Sequence, residues 1–318
     1  VDNGEQRRDI AHNVRMTPRS PSPQSFPSTP FSVGEAMSHG VSRRRLRARD
    51  LAAPFAGTRV HTAELDLVTR CRALALRLPD GAAFSHTTAA MVHGLPLPLS
   101  LASVRAPIHV VVPPPRRAVD IAGVTGHRMM LEPNDIVSIE GLLFTRVERT
   151  WCDLGSSLRL PQLVAAGDHA IRPAEPLTTI DRLRAEMLAY TGRRGIRDLR
   201  RALDLLDGRA ESPRESMLRI AIVLAGLPRP EANVEIRDDL GRLVERVDLA
   251  YPALKVAIEY EGDHHRTDKQ QWRKDIARLR AAEQLGWKVI RTTELDLDDP
   301  RDFIAQLSAT LARRPHIR

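Results

Sequence analysis

Hydrophobic and polar positions fall into two differently patterned halves behind a stretch with no pattern at all. Residues 1–32 are polar, with Pro18, Pro21, Pro23, Pro27 and Pro30 set among serines. Too few apolar side chains are present to bury a core, which predicts a disordered tail. The chain then turns at Gly40-Val41-Ser42 and runs into Arg43, Arg44, Arg45, Leu46, Arg47 and Arg49. Two readings of that run stand side by side: the second helix of a helix-turn-helix, laying Arg43, Arg44, Arg45 and Arg47 on DNA, or a solvated arginine-rich helix. From Thr58 to about Arg172 short helices and strands alternate. Leu65, Val68, Leu74 and Leu78 recur at helical spacing, and residues 85–94 read as a capped helix closed by Gly94. Residues 108–112 are a β-branched strand halted by Pro113-Pro114-Pro115. Segments 150–158 and 160–171 predict a helical pair. Pro173, Pro176 and the arginine-rich stretch 193–201 then predict a linker over 176–204.

From residue 205 the pattern becomes regular. Ser212-Pro213-Arg214-Glu215 is a capping box with proline at the first helical position. Met217, Leu218, Ala221, Leu224 and Ala225 predict that helix's apolar face, and Gly226 its end. Val234 and Ile236 alternate with polar neighbours, Asp238-Asp239-Leu240-Gly241 turns the chain, and 243–250 and 254–261 follow as strands. Trp272, Ile276, Leu279 and Leu285 mark a long amphipathic helix closed by Gly286. A strand over 287–291 and a helix over 300–312, burying Phe303, Ile304, Leu307 and Leu311, complete the unit. The predicted fold class is α/β, with the order α-β-β-β-α-β-α over 205–314 preceded by an α+β region over 33–175.

Strand parity gathers chemistry at one place. Side chains two apart share a face, so Glu259 and Glu261 point together, away from Val256, Ile258 and Tyr260. Asp248 ends the neighbouring strand, just before Tyr251-Pro252, and faces the same edge. Burying strands beside that much negative charge is costly unless a cation or substrate requires it. Carboxylate oxygens suit Mg²⁺ or Mn²⁺, which activate a water and neutralise charge at a phosphodiester, and a histidine of the pair His264-His265 is placed to take the proton. Each residue also has a structural explanation: Glu215 in the capping box, Asp248 at a strand end, the histidines as solvated loop residues, Asp153 and Asp168 as structural carboxylates.

Composition narrows this only a little. The 318 residues leave room for two domains, and the formal net charge of +8 favours a polyanionic partner, DNA above all. Lys255, Lys269, Lys274 and Lys288 are the lysines; the other 44 of the 48 basic residues are arginine, a bias that a GC-rich genome also produces. Cys71 and Cys152 offer neither a disulfide framework nor a metal-binding pair. No apolar run reaches the ~18 residues of a membrane span, and no secretory start is seen, so a cytoplasmic protein without membrane contact is expected. The histidines His61, His86, His93, His109, His127 and His169 show no metal-ligand spacing and are expected to be core or surface residues.

The segment Val247-Asp248-Leu249-Ala250-Tyr251-Pro252, with Glu259-Tyr260-Glu261-Gly262-Asp263-His264-His265, resembles the very-short-patch-repair-like endonucleases of the PD-(D/E)XK restriction-endonuclease superfamily. It is most similar to bacterial relatives with an Asp…Glu-x-Asp-Gly-x-x-His signature. Further matches are Ser212-Pro213-Arg214-Glu215-Ser216, Gly226-Leu227-Pro228, Trp272 with Asp275 and Arg278, and Gly286-Trp287-Lys288-Val289-Ile290-Arg291. The resemblance implies a restriction-endonuclease-like core in which Asp248 and Glu259 hold Mg²⁺, Glu215 completes the site, His265 transfers the proton and Arg278 contacts phosphate. It also exposes a departure: Glu261 stands where this group has aspartate and the wider superfamily lysine. Phe84 to Pro96, Ile108-His109-Val110-Val111-Val112 and Val147 to Leu154 resemble the AbiEi-type antitoxin region, which implies a DNA-binding or regulatory module with a partial winged helix. The functional expectation is a Mg²⁺-dependent DNA endonuclease in phage defence or DNA repair, with a toxin or other defence protein as a further partner. The alternative is a non-catalytic, antitoxin-like, DNA-binding transcriptional regulator.

Overall fold

The computed structural model describes residues 29–61, 65–261, 278 and 280–314. Residues 1–28 of the expected tail, together with His264, His265, Trp272 and Asp275, lie outside the described residues. The chain divides into two compact units, residues 1–77 and 78–318, and the architecture is mixed α/β.

In the first unit, strand β1 (Phe31–Ser32) pairs antiparallel with β2 (Thr58–Arg59), so the last two residues of the expected tail are already part of a sheet. Helix α1 (Val33–Ser38), capped by the Ser32 hydroxyl, is followed by a single 3-10 turn at Arg45–Arg47 and by α2 (Leu67–Ala75). The arginine-rich run is therefore not a recognition helix. The Leu46 carbonyl, which a longer helix would offer to residue 50, accepts the Arg59 Nε–H at 2.7 Å, and Asp50 draws Arg45 sideways through two hydrogen bonds at 2.8 and 2.6 Å.

Among the described residues the second unit holds two sheets. Strands β3 (Ala83–Phe84), β4 (Ile108–Val112), β5 (Val124–Arg128), β6 (Ile136–Ile139) and β7 (Leu142–Thr145) form one, ordered β5-β4-β3-β7-β6. Helix α3 (His86–Val92) follows β3 directly. The helices α4 (Val147–Leu154), α5 (Leu160–Ala170), α6 (Ile180–Ala189) and α7 (Ile196–Leu205) come next. The expected linker over 176–204 is thus corrected to two helices. Leu183, Met187, Leu199, Ala202 and Leu203 bury themselves in one core with Trp151, Leu154 and Leu163. The proline and arginine cues misled because α6 and α7 expose arginines on their outer faces while leucines at helical spacing line the inner ones.

The remaining elements are α8 (Pro213–Leu224), β8 (Glu231–Arg237), β9 (Leu243–Tyr251), β10 (Val256–Tyr260), β11 (Lys288–Thr292), α9 (Glu294–Asp298) and α10 (Arg301–Arg313). The sheet order is β11-β10-β9-β8, with β10 and β11 parallel and the other pairs antiparallel. The buried face of α8 differs from expectation. Leu218 and Ile222 pack with Leu249, Ile258 and Phe303 against the sheet, Ile220 joins the helical core, and Leu224 stays exposed. Buried on two sides, α8 is a wall between cores rather than a surface helix with one apolar stripe.

That position places Arg219 in the interior. Its guanidinium donates to Asp168 Oδ2 at 2.7 Å and to the Leu205 carbonyl at 2.8 Å, while Asp168 Oδ1 accepts the Asp207 N–H at 2.6 Å. Both side chains of the ion pair are fully buried. Removing one partner leaves a charge in a low dielectric, so Arg219→Ala is expected to lower unfolding stability by about 3–5 kcal/mol in denaturant titrations. A hydrophobic pair, Asp168→Leu with Arg219→Met, should recover part of that loss.

Candidate active site

Adjacent strands deliver the central carboxylates. The β9–β10 ladder pairs Ala250 with Ala257 and Leu249 with Ile258. One step further in that register, Asp248 stands opposite Glu259, and directly opposed side chains share a face. Asp248 Oδ2 accepts the Tyr260 N–H at 2.7 Å, which fixes the carboxylate against β10.

On its other side Asp248 meets an irregularity. β8 pairs Ala232 with Leu249 and Val234 with Val247, while the intervening Asn233 has φ +53°. Apolar neighbours change sides there. Ala232 and Leu249 belong to the core under α8, whereas Val234 and Val247 belong to the core on the opposite face with Ala250 and Ala257. Asparagine tolerates the left-handed region better than most residues, and its side-chain amide donates to the Arg209 carbonyl. The reversal lets Glu245, on β9, share a face with Asp248, although strict parity puts three-apart residues on opposite sides. Glu245 is thus a site residue that the sequence pattern hides.

Glu215 enters from the first turn of α8. Its N–H donates to the Ser212 hydroxyl at 3.2 Å, and its own Oε2 accepts the Glu211 N–H at 2.8 Å, one residue before the usual capping-box partner. The side chain is buried, and burial followed by the charge of Asp248 raises its pKa. Burial also raises Asp248, with the Tyr260 N–H opposing and Glu211 and Glu245 adding to the shift. Glu259 is displaced furthest, to about 9, by burial and then by Asp248, Glu245 and Glu215, with Arg291 pulling back. Its Oε1 is buried and has no hydrogen-bond partner among the described residues. Four carboxylates therefore share one neighbourhood, in which Asp248, Glu245 and Glu215 each make Glu259 harder to ionise.

Glu261 stands apart from this group. Half-exposed, it makes an ion pair of 2.8 Å with Arg291, the residue registered opposite Glu259 on β11. Sequence reasoning quoted Arg291 in a motif without giving it a role. Its strand position opposite a carboxylate was the available signal. Arg278 lies exposed, 4.0 Å from Glu245. Of the arginines expected on DNA, Arg43, Arg44 and Arg47 are exposed, and Arg45 is held by Asp50. His265 falls outside the described residues.

The structure adds a juxtaposition to the reading of the histidines as core or surface residues. His86, His109 and His127 converge, with candidate ligand atoms all within 4.8 Å of one another. The residues are 23 and 18 positions apart in the chain, and only the pairing of β3, β4 and β5 brings them together.

These features define a mixed α/β protein with a buried carboxylate cluster where two antiparallel strands meet a helix start. No family model matches the chain. It belongs to the family of two Mycobacterium tuberculosis relatives, uncharacterized protein Rv2248 of strain H37Rv and uncharacterized protein MT2308 of strain CDC 1551. Each is 30% identical over 251 residues, covering 79% of this chain and 87% of the relative. The crystal structure of RV2827C protein from Mycobacterium tuberculosis overlaps with a TM-score of 0.39 at 16% identity, over 66% of this chain and 84% of that one. Among the described residues no helix is long and apolar enough to cross a membrane.

The raised Glu259 carboxyl gives a pH signature. Between its ordinary 4.5 and about 9, the unfolded chain ionises Glu259 while the folded chain keeps it protonated. The folded state then binds more protons, so stability is greatest below the lower value and falls as pH rises through the upper one. Glu259→Gln should flatten this slope in chelator-containing buffer. Melting curves are expected to coincide near about pH 4 and to favour the variant near about pH 8. A variant less stable than wild type at both values would contradict the assignment.

Proposed function

We propose that the protein is a divalent-metal-dependent nuclease that hydrolyses phosphodiester bonds in DNA. The observation that carries this reading is the pairing of Asp248 with Glu259 across β9 and β10, closed by Glu215, with Glu259 Oε1 buried and unpartnered. The order α8-β8-β9-β10, followed by β11 parallel to β10, supports the restriction-endonuclease-like core that the sequence resembles. Hard oxygen donors and an orphaned carboxylate oxygen fit Mg²⁺ or Mn²⁺, which Asp248 and Glu259 would hold, with Glu215 and Glu245 adding negative charge around them. Such an ion, when bound, neutralises phosphate charge and lowers the pKa of a coordinated water.

The chain's own groups do the rest. The Tyr260 N–H orients Asp248, and Ser212 and Glu211 hold Glu215 at the helix start. Arg291 supplies from the neighbouring strand the positive charge that the superfamily's lysine carries at the position of Glu261. An arginine cannot give up its proton, so Arg291 stabilises negative charge and leaves proton transfer to His265, as the resemblance implies. The ion pair that engages Glu261 also favours the second reading, a DNA-binding regulator whose carboxylates no longer cut. The basic balance of the chain suits DNA under either reading.

A nicking assay with Mg²⁺ or Mn²⁺ separates the two. Wild type should cleave DNA, and Asp248→Ala and Glu259→Gln should each lose more than about a hundredfold, beyond the cost of disturbing an outer-shell group. If wild type and Asp248→Ala bind DNA equally and neither cuts it, the nuclease reading fails and the regulator remains.

A further inference from the structure

The three converging histidines make no use of the carboxylate cluster, and we propose that His86, His109 and His127 form a separate site for a divalent transition metal of the zinc class. The sheet builds it. β3 pairs antiparallel with β4, Phe84 against Val110, so His86, two residues past Phe84, lies over His109. β4 and β5 are parallel, with Val111 opposite His127, which puts His109 and His127 on one face as diagonal neighbours. His109 Nδ1 and His127 Nε2 are 2.9 Å apart, and the His86 and His127 rings stack with centroids 3.6 Å apart.

His86 has φ +50°, a left-handed conformation that histidine adopts more readily than most residues. In it the ring stacks on those of His109 and His127. One further observation points to a ligand. Behind the ring, the His86 Nδ1 faces the Ser85 hydroxyl at 3.0 Å and Asp153 Oδ2 at 3.8 Å. That oxygen is buried and has no hydrogen-bond partner among the described residues, although Arg149 and Tyr190 both bind its companion Oδ1. A histidine that ligates through Nε2 donates its Nδ1–H to a carboxylate or hydroxyl, and Asp153 and Ser85 stand where that support is required.

Imidazole nitrogens suit zinc, copper, nickel or iron rather than magnesium. In a tetrahedral zinc site, with Zn–N of about 2.0–2.1 Å, ligand nitrogens stand roughly 3.3 Å apart, within the spread seen here, and the stacked rings must tilt out of parallel to aim their in-plane lone pairs at one ion. His109 and His127 are only partly buried, so an ion has access from solvent and a fourth position is left for water. The competing explanation is a stack of neutral imidazoles joined by an N–H···N bond between His109 and His127.

Zinc titration of the metal-free full-length protein against a chromogenic chelator decides between them, with cobalt absorption as a signature of the ligand set. Wild type should take up one equivalent of zinc at this site and give tetrahedral cobalt bands. His127→Ala should bind at least about a hundredfold more weakly with an unchanged circular dichroism spectrum. Asp248→Ala should retain the site, which keeps the outcome separate from that of the nuclease reading. Should His127→Ala fail to fold, ring-nitrogen NMR of wild type replaces it: zinc must shift His86, His109 and His127. Wild type that binds no zinc at micromolar concentrations, or zinc that leaves those three rings unmoved, overturns the proposal.

Discussion

The buried pair of Asp168 and Arg219 is the constraint around which the larger unit is organised. An ionised guanidinium and carboxylate withdrawn from water are costly, and attraction between them repays the cost only when the remaining donors and acceptors are also engaged. Most of them are: Asp168 takes the Asp207 N–H as well as Arg219, and Arg219 reaches the Leu205 carbonyl, while its buried Nε has no partner among the described residues. One ion pair thus ties α5, the end of α7 and α8 together. Ile220 and Leu218, on either side of Arg219 in the chain, complete the helical core and the sheet core respectively. Polar satisfaction fixes the rotation of α8, and that rotation decides which of its side chains face the sheet.

Glu215 inherits its place from this arrangement. It lies four residues before Arg219, so the two share a face of α8, and both are buried. A helix turned to satisfy Asp168 therefore brings a carboxylate towards Asp248 and Glu259. The electrostatics oppose such a gathering, as the direction of every pKa shift in the cluster shows. Packing elsewhere in the unit supplies the free energy that holds these groups together, a pattern common where a fold stores an unfavourable arrangement for later use.

Periodicity made much of the larger unit legible. The strand 108–112, the capped helix beginning at Ser212, and the strand order of the last hundred residues follow from local pattern, because one-sided burial imposes a period on each element. Asp248 and Glu259 emerged from the same logic. What stayed hidden has a common cause. Helices α6 and α7 were obscured by the exposed arginines on their outer faces. Glu245 was masked by the reversal at Asn233, which defeats strict alternation. His86, His109 and His127 carry no local signature, since their meeting depends on which strands pair and in what register. Local sequence specifies elements; long-range pairing specifies constellations.

The two clusters differ in the kind of charge they need. The carboxylate group is rich in negative charge and short of cations, with Arg291 engaged by Glu261. It is the arrangement that a hard cation relieves most, since each carboxylate it neutralises also stops destabilising the others. The histidine group carries no such surplus of charge; what it has is three imidazoles with ring nitrogens in reach of one another and an unpartnered oxygen of Asp153. Repulsion explains the first without a ligand only if the carboxylates are protonated. The second is explained without a ligand by stacked imidazoles joined through His109 and His127, with the unpartnered oxygen of Asp153 left over. Each cluster therefore turns on where its protons sit, and the acidic one was the more visible in the sequence.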